Sequence, residues 1–123
     1  MVVGVLQFEL HVQGAESLKD KRRVVRSVRD RLHREHMVSV AEVGALDTLN
    51  LAVMGLAVVG NDGKRVADVL DKVSAKLRSL HDAELGATSR QIIVGEDSPG
   101  AIVDEMDAEA LAREMLARAE GAA

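Results

Sequence analysis

Cysteine, tryptophan and tyrosine are absent from this chain, and phenylalanine occurs once in 123 residues. Without cysteine there is no disulfide framework, no thiolate metal site and no thiol nucleophile, and a reducing cytoplasm suits the composition. Phe8 is the only aromatic ring, so stacking nucleobases on exposed aromatics, the usual mode of small RNA-recognition sheets, has almost nothing to work with. Long apolar runs are missing too. The opening "MVVGVLQFELHV" has no basic leader and no small-residue cleavage site, and Glu9 interrupts it before it could span a bilayer. It is expected to be a strand, and the chain to have no membrane attachment. At this length a single domain buries about two-thirds of its unfolded surface, enough for a core without staples.

Charge is present and unevenly placed. The formal net charge is −4, yet residues 16–36 hold eight Lys and Arg against Glu16, Asp20, Asp30 and Glu35, a local +4 that leaves −8 elsewhere. Residues 96–123 hold eight acids against Arg113 and Arg118. Such asymmetry bears on partners more than the total does.

Hydrophobic periodicity sets the element order. In residues 2–12, Leu6, Phe8, Leu10 and Val12 alternate with a set that passes from Val3 and Val5 to Gln7, Glu9 and His11, the pattern of a half-buried strand. Ser17 is placed to cap a helix, with Asp20 as a short capping-box acid, and Leu18, Val25, Val28 and Leu32 follow at helical spacing. Residues 37–43 read as a second strand, "GALD" as a turn, and residues 49–59 as a third strand apolar on both sides, hence mid-sheet. After "GNDG", with Asn61 or Asp62 as cap, Val66, Val69, Leu70, Val73, Leu77 and Leu80 form a second amphipathic stripe. Residues 84–94 close with "RQIIV", the fourth strand.

This βαββαβ order predicts an α+β, ferredoxin-like domain over residues 1–95: an antiparallel four-stranded sheet with two helices on one face. Strands one and three, the longest and most apolar in this reading, are expected in its middle. The uncovered sheet face is expected to be an association surface, with a homodimer as its simplest use. Residues 96–123, with Ser98 and Pro99 placed to start a helix, are expected to form an acidic C-terminal helical extension.

The segments "MVVGVLQFELHVQGAESLKDKRRVVRSVRDRL", "VSVAEVG" and "GLAVVGND" resemble the YlxP-like family of small uncharacterised bacterial proteins, over residues 1 to about 95. "SLKDKRR" is the most specific part. The resemblance implies a ferredoxin-like fold, commonly dimeric, and in many bacteria a gene among translation and ribosome-maturation genes. It carries no activity. Where relatives often read Asp, any residue, Trp, Gln, Arg, this chain has Asp47, Thr48, Leu49, Asn50 and Leu51, so leucines replace the tryptophan and the arginine.

No catalytic constellation stands out. The serines lack a GxSxG setting, "GNDGK" lacks the rest of a phosphate-binding loop, and His33 and His36 have no third ligand, so no metal and no cofactor is expected. The best sheet-face ligand site combines Gln7, Glu9 and His11 with Glu42. The best polyanion contact is the basic face of the first helix: Lys19, Lys21, Arg22, Arg23, Arg26 and Arg29. Lacking aromatics, that face is expected to meet phosphates of structured RNA or a ribosomal component electrostatically. A solvated helix face, its cations paired with Asp20, Asp30 or the acidic tail, is the competing explanation.

Overall fold

Alternation builds the first strand. β1 (Val2–His11) buries Val2, Leu6, Phe8 and Leu10 on one side and turns Val3, Val5, Gln7, Glu9 and His11 to the other. In the computed structural model, which describes residues 1–95, 113 and 115–117, it is followed by α1 (Leu18–His36), β2 (Ser39–Gly44), β3 (Leu51–Gly60), α2 (Gly63–Arg78) and β4 (Glu84–Val94). The strands form one antiparallel sheet in the order β2-β3-β1-β4, so the fold is ferredoxin-like with β1 and β3 central. The longest strand is nevertheless β4, 11 residues at an edge and mostly exposed. Length was a poor guide to position; two-sided apolarity was the good one. Among the described residues no helix is long and apolar enough to cross a membrane.

Local chemistry sets the helix ends. The Ser17 hydroxyl accepts from the Asp20 amide at 3.2 Å, and the Asp20 carboxylate accepts from the Glu16 amide at 3.2 Å, a capping box displaced one residue outward. α1 ends at Met37, whose φ of 54° is left-handed, so Met37 is a cap and β2 begins two residues later than its apolar run suggests. α2 is capped by Asp62, whose carboxylate accepts from the Lys64 amide at 3.0 Å. Residues 113 and 115–117 are helical, in line with a short C-terminal helix. The remainder of the expected extension, Ser98 and Pro99 included, lies outside the described residues.

The core lies between the helices and one sheet face. Leu6, Phe8, Leu10, Ala52, Met54 and Leu56 meet Val25, Val28 and Leu32 of α1 and Leu70, Val73 and Leu77 of α2. α2 approaches β1 closely enough that a Cβ on Gly4 would stand 2.6 Å from Val66 Cγ1.

Neither α1 nor α2 covers the opposite sheet face, which changes from apolar to polar along β1. Val59, Val3 and Ile93 form one row across β3, β1 and β4. Ser39, Ala57, Val5 and Gln91 form the next, then Ala41, Gly55, Gln7 and Ser89, while Glu9 and His11 mark the far end. On β3 the face stays apolar, with Val53 beside Glu9 and Leu51 beside His11.

Candidate functional site

The buried stripe of α1 is Lys21, Val25, Val28 and Leu32. Lys21 therefore occupies a core position three residues after Leu18 and four before Val25, and its exposure is 0%. Its ammonium donates to the Ala45 carbonyl at 2.6 Å and reaches the Leu46 carbonyl at 3.5 Å. Glu42 Oε2 stands 2.8 Å from Lys21 Nζ, an ion pair whose angles fall short of an aligned hydrogen bond. A buried ammonium requires such partners, because desolvation would otherwise cost several kcal/mol, on the order of that of any unpaired buried ion. Lys21 thus fastens α1 to the β2–β3 turn, where Ala45 has a left-handed φ of 56°. It is not part of the basic face to which its charge alone assigned it.

The other five cations of that set remain exposed on α1. Arg29 is held by Asp30, with Nε at 3.2 Å and an Nη at 3.1 Å from one carboxylate oxygen. Lys19, Arg22, Arg23 and Arg26 differ. Together with Ser27 and Asp30 they line a shallow depression of about 500 Å³, and no described carboxylate forms an ion pair with any of the four. Their spacing of i, i+3, i+4 and i+7 puts them on one stripe about 10 Å long. That stripe lies on the amino-terminal half of the helix, where the macrodipole is positive. Only Lys19 of the four lies in the first turn, where a cation is disfavoured by about 0.3–1 kcal/mol, so helix stability does not account for the arrangement. Backbone and side chains instead add fields of the same sign.

The proposed sheet-face set is divided by the sheet. Gln7, Glu9 and His11 share the open face, with His11 Nε2 3.9 Å from Glu9 Oε2. Glu42 pairs in register with the buried Met54 and points to the helices, toward Lys21. The hollow beside Gln7 and Glu9 holds only about 100 Å³, well below the roughly 300 Å³ at which small-molecule pockets begin. Arg90, the other cation near this region, also faces the helices and donates to Asp71 at 2.6 Å and to the Ala67 carbonyl at 3.1 Å.

Two further clefts lie at the carboxyl end of β1. One of about 280 Å³ is lined by Gln13, Arg78, His81, Asp82 and Glu84 among others, and one of about 440 Å³ by His11, Gln13, Asn50 and Glu84 among others. Among the described residues no three His, Asp or Glu side chains are grouped to hold a metal. His33 serves the fold, its Nδ1 lying 2.9 Å from the Val38 carbonyl just past the helix end.

Comparison with known proteins agrees with this geometry in extent. A family model described as "Protein of unknown function (DUF503)" matches residues 3–90, nearly all of the βαββαβ unit. The chain is also 29% identical over 83 residues to "Uncharacterized protein YlxP" of Bacillus subtilis (strain 168), covering 68% of this chain and 90% of that one. The "SLKDKRR" segment lies inside the family match, and its Ser17, Asp20 and Lys21 have the structural duties just described.

Proposed function

Since the chain belongs to the DUF503 family, whose description assigns no activity, we propose a non-enzymatic cytoplasmic domain that associates with the ribosome or a translation factor, its α1 outer face meeting the phosphates of structured RNA. The observation that supports this reading is the exposed stripe of Lys19, Arg22, Arg23 and Arg26 on α1, without described carboxylate partners. Phosphate is the chemistry such a stripe recognises, through charge-assisted bonds from guanidinium forks and counterion release. Phe8 is fully buried, so base stacking has no part in the contact.

The test is fluorescence anisotropy with a labelled RNA hairpin at low salt, comparing the full chain with its R22E/R23E/R26E variant. Binding is expected in the first and loss of binding in the second, with the thermal midpoint little changed, because the three arginines are exposed and have no described ion-pair partner. Equal binding by both proteins would sink the reading.

A second reading concerns the open sheet face. Val59, Val3 and Ile93 make an apolar row that no described residue covers, and Val59 is 66% exposed. Such a patch suits contact with a second copy of the chain, giving a homodimer. Sedimentation velocity of the V59D/I93D variant is expected to show a monomer where the natural chain shows a dimer. A monomeric natural chain would end this reading while leaving the first intact.

A further inference from the structure

The basic stripe faces a competitor encoded in the same chain. Residues 96–112 contain Glu96, Asp97, Asp104, Glu105, Asp107 and Glu109 and no Lys or Arg. This stretch begins directly after Gly95, whose amide is bonded to the Met1 carbonyl at 2.8 Å, at the amino-terminal end of β1. We propose that the acidic segment is an internal polyanion mimic, competing in cis with RNA phosphates for Lys19, Arg22, Arg23 and Arg26. The inference rests on the polyanion-binding reading for its biological meaning, but the contact itself is separately measurable.

Three observations support it. The first is charge complementarity: four cations without described carboxylate partners on α1, against six acids without a compensating base in seventeen residues. The second is reach. Fully extended chain covers at most about 3.5 Å per residue, so the stretch from Gly95 to Asp104 and Glu109 can span at most about 30–50 Å. The sheet itself is only about 33 Å along its ten-residue strands. The third is tethering, which raises the local concentration of the acids to the millimolar range for a short linker, enough for weak carboxylate pairs to compete with a free polyanion.

The experiment uses the full chain and the same RNA hairpin. D104N/E105Q/D107N/E109Q is expected to bind RNA about tenfold more tightly than the natural chain at low salt, within the usual range of coupling between sites. That gain should disappear when R22E/R23E/R26E is added. A charge-matched control, E16Q/D47N/D68N/D82N, neutralises four carboxylates elsewhere and should give a clearly smaller gain. Equal gains from both sets would reduce the effect to net charge and overturn the proposal.

If the hairpin binds none of these proteins, the polyanion reading fails, and the contact is decided by NMR without RNA. Amide resonances of Lys19, Arg22, Arg23 and Arg26 should shift between the natural chain and D104N/E105Q/D107N/E109Q, and the shifts should shrink with added salt. Coincident spectra would overturn the inference whatever the hairpin does.

Discussion

Lys21 and Glu42 carry the main lesson at the scale of the residue. Lys21 follows Leu18 by three positions and precedes Val25 by four, which places it on the buried stripe of α1. Glu42 shares the alternation class of Val38 and Val40, which faces the core. Both placements were therefore legible in spacing, and both were obscured by assigning charge to the wet side by residue type. What spacing could not supply is the partnership, since residues 24 apart on the chain, Lys21 and Ala45, meet only in three dimensions. Lys21→Met is expected to cost about 3–5 kcal/mol in denaturant unfolding by leaving Glu42 and two turn carbonyls without their ammonium. Adding Glu42→Leu should recover most of that loss, because a buried ion pair replaced by apolar groups is often near neutral. A single substitution without cost would show that the ammonium does not hold the turn.

Elements are positioned by where side chains are missing as well as by where they fit. α2 lies close over β1 because Gly4 offers no Cβ, and Val66 Cγ1 and Leu70 Cδ1 occupy that space. Gly4→Ala should destabilise the domain by about 1–3 kcal/mol through overpacking, and Val66→Ala in the same chain should offset part of it; thermal melts of the three variants would check this. A pattern reading found all six elements, since period-2 and period-3.6 stripes survive in the residues themselves. It misplaced the start of β2 because Met37, a residue type with no marked preference for left-handed φ, ends α1 where glycine would have announced the end. The cations of α1 belong to this scale too. Their freedom from described carboxylate partners, and not their number, separates Lys19, Arg22, Arg23 and Arg26 from Arg29, which Asp30 already holds.

For the whole molecule, the charges are sorted: a basic stripe on one helix, six acids in residues 96–112, and on the sheet face a β1 that passes from Val3 to Glu9 and His11. If the four cations each replace one counterion on duplex RNA, the logarithm of the affinity should fall with that of salt at a slope of about −3 to −4. A slope near zero would assign binding to some other surface. None of this sorting was hidden in the sequence, but its meaning needed the fold, which showed which cations were already engaged. The buried clamp has one more consequence, for chemical reactivity. Of the five lysines, Lys19, Lys64 and Lys72 are exposed and Lys76 partly so, whereas Lys21 has no accessible surface. An amine-directed reagent should modify the others quickly and reach Lys21 only when α1 parts from the β2–β3 turn. Its labelling rate, followed by peptide mass spectrometry, would time the opening of the native protein from within.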